Sequence, residues 1–265
     1  MKIASWNVNS LKIRLEQVLD WLEQARPDVL GLQETKLTDA KFPVEAFAEA
    51  GYQAAFSGQP TYNGVALLSR SPAKQLRLEI PGFSDPHKRV IAGSFDGVRV
   101  INLYVVNGKA VGDPKYDWKL EWLNAVTRWI ADELEQHERL VVVGDFNIAP
   151  EDRDVHDPEG WREQILCSTP ERNALKKILD LGLGDCYRLF DQPDRVYSWY
   201  DYRQMAFRRK MGLRIDLVVA SEAMRKQCTA SAIDLEPRRL ERPSDHAPVW
   251  AKFETDQPRR ARFRS

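Results

Sequence analysis

Apolar residues in this chain gather into short runs, and between the runs lie longer stretches in which they recur every third or fourth position. The runs "KIASWNV", "DVLGLQE", "GVALLS", "VINLYVV", "LVVVGDFN" and "LRIDLVVA" have the length and β-branched content of strands. The periodic stretches predict helices. Leu11, Leu15, Val18 and Leu22 share one helical face behind a cap at Ser10, and Arg26-Pro27 ends that helix. A second helix over Tyr116–His137 stripes Leu120, Leu123, Ile130 and Leu134. A third takes Thr169 as cap, Pro170 at its first position and stops at Gly182. Pro248-Val249-Trp250 opens a closing strand. Strands alternating with helices predict an α/β layered fold with helices covering sheet faces.

Several of these strands end on residues that packing alone would not choose. Asp145 and Asn147 follow three valines, and residues two apart in a strand face the same way. "SWNVN" sets Asn7 and Asn9 on one face, "DVLGLQET" ends in Glu34, and Asp216 lies between Ile215 and Leu217. Taken singly, such a residue caps a turn or helix, and Asn9 is assigned that role. As a set they mean more. A buried carboxylate is costly unless it is paired, hydrogen-bonded or metal-bound. Ligands of open α/β folds gather outside strand ends, so Glu34, Asp145 and Asp216 are expected to meet in one cleft. In "RPSDHAPVW", Asp245 stands directly before His246 as a carboxylate that could orient an imidazole.

This inventory contains no Cys-x-x-Cys and no paired histidines, so its oxygen donors suit Mg2+, or Mn2+, better than zinc. Magnesium favours one or two carboxylates plus phosphate oxygens of a substrate, which makes a phosphate ester the expected ligand. Phosphate-cradling glycine loops and the G-x-S-x-G elbow are absent. Hydrolysis by an activated water remains.

Composition adds limits. The 265 residues carry 39 Lys+Arg and 39 Asp+Glu, a formal charge of zero, so a polyanion must be met by local basic patches. Two qualify: "FRRKMGLR" (Phe207–Arg214) and the C-terminal "DQPRRARFRS", where four arginines face one aspartate. That tail, residues 256–265, reads as solvated and disordered, and residues 1–255 as one domain, since no repeat or linker divides them. Cys167, Cys186 and Cys228 fit neither a disulfide framework nor a zinc pattern and read as buried small hydrophobes. Neither a signal-peptide core nor a membrane-length apolar run is present, which predicts a cytoplasmic protein without a membrane partner.

In this order and at these spacings, "SWNVNSLKIR", "PDVLGLQETK", "GVALLS", "GDFNIAP", "GLRIDLVVAS" and "PSDHAPVWAKF" resemble the exonuclease III branch of the endonuclease/exonuclease/phosphatase superfamily, from Met1 to about Phe253. The resemblance implies a four-layered α/β sandwich of two packed mixed β-sheets flanked by helices. It also implies a monomeric, divalent-metal-dependent repair nuclease that cuts duplex DNA 5′ to abasic sites or removes nucleotides and blocking groups from 3′ ends. Carried over by position, Glu34 is the principal metal ligand, Asn7 lies beside it, and Asp245 is near enough to contribute. Asp145 orients and deprotonates the attacking water and Asn147 is its partner at the phosphate, both within reach of the metal. Tyr104, in "NLYVVNG" with Asn107, matches a tyrosine at the scissile phosphate, although Val106 stands where relatives have proline. Asp216 matches an aspartate that assists the leaving group or a second metal. His246, held by Asp245, donates to phosphate oxygens.

On the substrate side, Trp199 and Leu213 match the pocket for a flipped-out abasic sugar, whose extrusion costs little because no base must unstack. Arg208 and Arg209 supply charge for the DNA backbone. His156, in "EDRDVHDPEGW", is expected near the DNA, biasing the enzyme between abasic incision and 3′-end trimming. Two alternatives stay open: a same-fold phosphodiesterase or phosphatase acting on inositol lipids or sphingomyelin, and a non-catalytic nucleic-acid-binding module.

Overall fold

The computed structural model describes residues 1–254. The basic tail lies outside the described residues. Two six-stranded sheets stack face to face. The first comprises β1 (Lys2–Asn7), β2 (Val29–Gln33), β3 (Gln53–Ser57), β4 (Val65–Ser69), β11 (Cys228–Ile233) and β12 (Val249–Phe253), in the order β11-β12-β1-β2-β4-β3. The second comprises β5 (Lys74–Arg77), β6 (Val90–Phe95), β7 (Val98–Tyr104), β8 (Leu140–Asp145), β9 (Gly184–Asp185) and β10 (Asp216–Ala220), in the order β5-β6-β7-β8-β10-β9. Among the described strands only β1–β2 and β7–β8 pair in parallel, so both sheets are mixed.

Helices α1 (Leu11–Ala25) and α2 (Val44–Glu49) cover the outer face of the first sheet, and α3 (Pro114–Gln136) and α4 (Thr169–Leu179) cover that of the second. A short α5 (Glu222–Arg225) follows β10. The layers explain the valine run of β8. Val141 and Val143 pack between the sheets, whereas Val142 packs outward under α3 and α4. A strand buried on both faces has no use for alternation.

The sheets are also tied by a buried amide pair. Gln33 donates to Ser5 Oγ at 3.0 Å and to Asn102 Oδ1 at 2.6 Å, and Asn102 Nδ2 reaches the carbonyls of Leu32 and Ala66 at 2.9 Å each. Gly31 makes the room, since a Cβ there would lie 2.9 Å from Asn102 Cγ.

Helix starts differ from the sequence expectation in instructive ways. Ser10 makes no side-chain cap to α1; its N–H donates to Glu34 O at 2.8 Å and that of Leu11 to Thr35 O at 3.0 Å, so the helix start is pinned to the end of β2. The second helix begins at Pro114, where Asp113 accepts from Lys115 N at 2.9 Å. The cap of α4 is Ser168, not Thr169: Ser168 and Glu171 form a reciprocal capping box, which a serine one position earlier offers and Thr169 does not. Five strands escaped the pattern, namely β3, β5, β6, β9 and β11. β5 is exposed throughout and β9 has two residues, so neither carries a periodic signal. Cys167 and Cys186 are buried, Cys228 is half-buried, and all three are free. No described helix is long and apolar enough to cross a membrane.

Candidate active site

Register brings the polar strand ends together. Antiparallel β8 and β10 pair Asp145 with Asp216, and parallel β7 and β8 pair Tyr104 with Asp145. Beyond these ends the chain turns through left-handed positions at Asn9, Glu34 and Asn147, with φ of 44°, 51° and 49°. Non-glycine residues adopt such φ rarely, and strain of this kind persists where the surroundings hold it.

Here they do. Asn7 Nδ2 donates to Glu34 Oε1 at 2.9 Å and to Asp145 Oδ2 at 2.8 Å, joining the two sheets' contributions. Asp145 also accepts from Asn147 N at 2.9 Å and Asn147 Nδ2 at 3.2 Å, while Asn107 Nδ2 donates to Asn147 Oδ1 at 3.0 Å. His246 Nδ1 sits 2.9 Å from Asp216 Oδ2, and its Nε2 lies 3.8 Å from Asp145 Oδ2. The Tyr104 phenol lies beside the Glu34 carboxylate. Trp6 Nε1 donates to His246 O at 3.1 Å and Ser244 Oγ to Asn7 O at 2.7 Å, which locks the histidine loop against β1.

Ligand atoms of Glu34, Asp145 and His246 all fall within 4.8 Å of one another. The Glu34 and Asp145 carboxylates, with a further carboxylate oxygen at Asp216 Oδ1 buried and unpartnered, offer oxygen donors that fit a hard divalent cation, and His246 stands beside them. The charges tell the same story. Burial, with the Asp216 and Glu34 charges beside it, pushes the Asp145 carboxyl up to about 7 despite the opposing His246 charge and the Asn7 amide. Burial works against a charged imidazole at His246, yet the charges of Asp216 and Asp145 and the hydrogen bond to Asp216 outweigh it and raise the group to about 10. Burial and the Glu34 and Asp145 charges keep the Tyr104 phenol protonated, well above its ordinary range. Acid is therefore in excess, and His246 is a cation at neutral pH.

The sequence profile described as "Endonuclease/Exonuclease/phosphatase family" matches residues 4–246. The chain belongs to that family. Exodeoxyribonuclease III of Haemophilus influenzae is 34% identical over 266 residues, covering 96% of this chain and 100% of that protein. Among solved structures, a 3′-5′ exonuclease from Neisseria meningitidis is 49% identical with a TM-score of 0.94, and an AP endonuclease from Archaeoglobus fulgidus is 37% identical with a TM-score of 0.92. Each covers 96% of this chain and is itself covered completely. Two packed mixed sheets with flanking helices are the fold these family members share.

Within this family frame, three sequence expectations need correction. Asp245 does not orient His246. Its carboxylate accepts instead from Asn9 Nδ2 at 2.9 Å and Trp199 Nε1 at 3.0 Å, and it is Asp216 that holds the imidazole. Asp216 consequently has one oxygen committed to the histidine. Asn9 is no simple cap, for it links Asp245 to Lys36 Nζ, 2.6 Å from its Oδ1, and Lys36 in turn pairs with Glu34 at 3.0 Å. Lys36 is a site residue outside the sequence expectation, and its one signal is "QETK", which sets it two residues beyond Glu34.

Leu213 is fully buried behind Trp199 in a cluster with Val155 and Ile215, so it backs the neighbouring cavity and does not line it. That cavity, about 360 Å³, is walled by His156, Trp161, Trp199, Gln204, Ala206 and Met211. His156 is fixed by Nδ1 at 3.2 Å from Gly212 O and edge-on to Trp161. Arg208 and Arg209 are exposed just beyond Ala206 and Phe207. Val106 is buried in the core under α3, and Gly108 (φ 93°) makes the turn that follows, so the loop holding Asn107 is ordered by packing without a proline.

Proposed function

We propose that the protein is a DNA repair nuclease that hydrolyses phosphodiesters 5′ to abasic sites and removes nucleotides or blocking groups at 3′ ends, using Mg2+ held by Glu34 with Asn7 and Asp145 alongside. The observation that carries this reading is the meeting of Glu34, Asp145 and His246, from three distant segments, at one notch between the sheets. A bound dication supplies Lewis-acid stabilisation of charge on the phosphate oxygens.

The chain's own groups do the rest. Asp145, near neutrality in its proton affinity, accepts the proton of the attacking water, and the amides of Asn7 and Asn147 fix which lone pair faces it. His246, cationic and oriented by Asp216, donates to a nonbridging phosphate oxygen where negative charge develops. The protonated Tyr104 donates beside it. The cavity at Trp199 receives the extruded sugar, and Arg208 and Arg209 meet backbone phosphates. Asp245 acts at one remove, holding Trp199 and Asn9 in place.

Similarity to the Neisseria neighbour, described as a 3′ phosphatase and 3′-5′ exonuclease, favours end trimming as the stronger of the two activities. The experiment offers purified protein three duplexes, one with an internal abasic analogue, one with a 3′-phosphate and one intact, each with Mg2+ or EDTA. Cuts 5′ to the lesion and loss of the 3′ block, both abolished by EDTA, are expected. Cleavage of none of the three, alongside turnover of an inositol phosphate or sphingomyelin, would overturn the assignment.

A further inference from the structure

A lysine the reaction does not use lies behind the site. Lys119 belongs to the buried stripe of α3, in phase with Trp122, Leu123, Val126 and Ile130, and is 0% exposed. Its ammonium spends its donors on three separate elements: Asn147 O after β8 at 2.7 Å, Asn107 O after β7 at 3.1 Å, and the Glu171 carboxylate at the start of α4. Glu171 is itself fixed by Leu166 N, Ser168 N and Ser168 Oγ.

We propose that Lys119 is a positioning residue for the hydrolytic step, one buried cation that clamps the backbone carbonyls of Asn107 and Asn147 so that their side-chain amides present a fixed geometry to Asp145. The linkage is short. Asn107 Nδ2 donates to Asn147 Oδ1, and Asn147 Nδ2 donates to Asp145 Oδ2, so both amides are aimed from backbone that one atom holds. Asn147 needs such a hold because its φ of 49° is a conformation asparagine visits at a cost. A buried ion pair is a poor source of stability compared with apolar packing of the same volume, so stability alone is a weak reason for a lysine here. A group with three donors in a fixed fan meets the geometric need, which no apolar side chain can.

The inference rests on the assignment of Asn147 to the reaction, and the test separates the two. In Lys119→Met/Glu171→Gln both charges leave together and no uncompensated ion stays buried. With abasic duplex under single-turnover conditions, the rate of the bound complex should fall about 10²-fold, the cost of a displacement near 1 Å. Duplex Kd should move by less than about threefold, and Lys119→Arg, which keeps a cation at the node, should recover part of the rate. Asn147→Ala is then added to each folded variant. Its penalty should be smaller there than in the parent, because the amide it deletes is already misplaced.

A full, additive Asn147→Ala penalty in a folded Lys119 variant overturns the inference, as does a parental rate in the folded pair variant. If the pair variant does not fold, the same cycle on Lys119→Arg decides. Should Asn147→Ala cost nothing in the parent, the assignment of Asn147 fails instead.

Discussion

Two buried acid clusters can be set side by side. Around Asp154, Arg214 donates from Nε to Oδ1 at 2.6 Å and from Nη2 to Oδ2 at 3.2 Å, Arg188 reaches the same carboxylate, and Arg214 also bridges to Asp185 at 2.7 Å. Two carboxylates meet two guanidiniums, and Tyr187 stacks under both. In the notch, among the described residues, Glu34, Asp145 and Asp216 meet only His246 and the partly exposed Lys36. One cluster is balanced and closed; it anchors the segment that carries His156 against the strand bridge at Leu213. The other is left short of positive charge. The difference separates acid that serves the fold from acid that waits for a cation and a substrate.

Neutralising one member of each cluster should have opposite consequences. Asp145→Asn should lower the single-turnover rate by at least about 10³-fold, because an amide cannot accept the proton of water, while duplex binding holds and the melting temperature does not fall. Near-parental cleavage would remove Asp145 from its role. Arg214→Met should do the reverse. Stranding Asp154 and Asp185 in the interior costs about 3–5 kcal/mol of unfolding free energy in a denaturant titration, with little change in rate per folded molecule at moderate temperature. Equal stability of the variant and the parent would show that the balanced cluster is not structural.

These clusters were unequally legible in the sequence. Glu34, Asp145 and Asp216 stood out because each interrupts an apolar run at the point where a buried strand must end. Asp154 did not, since "EDRDVHDPE" reads as an ordinary charged loop and its arginine partner is 60 residues away. The same limit explains the misassigned partner of His246. Asp245 is adjacent in sequence, but neighbouring residues in extended chain point to opposite sides, so adjacency argued against the contact. The true partner, Asp216, comes from β10, 30 residues earlier, and only sheet pairing brings it there. Leu213 failed for a related reason, being matched by position while its side chain turns inward beneath Trp199. Sequence patterns report which residues are out of place in an element; they do not report which distant residues face them.

The histidine pairing gives a smaller, directional effect. Asp216→Asn removes the charge that holds His246 near 10 and leaves at most a neutral acceptor for its Nδ1–H, so the alkaline limb of the pH–rate profile should move to lower pH, with about a 10²-fold loss of rate above the new limb. Asp245→Asn, which touches Trp199 and Asn9, should shift that limb far less and should instead weaken binding of abasic duplex. An identical limb in parent and Asp216→Asn would return the orienting role to Asp245.

The smallest effect addresses the charge deficit itself. A cation that binds only the folded notch stabilises by RT ln(1 + [L]/Kd), about 2.7 kcal/mol at a hundredfold excess over Kd, which for a chain of this size is a rise of several degrees in melting temperature. Mg2+ should give that rise in the parent and in Arg214→Met, and should lose it in Glu34→Gln. In EDTA the sign reverses for Asp145. Its carboxyl is raised in the folded state, so the stability it permits is present below the ordinary carboxyl range and is lost as pH rises to about 7. Asp145→Asn should therefore melt with the parent near pH 4 and above it beyond pH 7, and added Mg2+ should narrow the gap by stabilising the parent alone. A parent that melts higher than Asp145→Asn in EDTA at pH 8 would mean that the notch is already balanced, and the contrast with the Asp154 cluster would vanish.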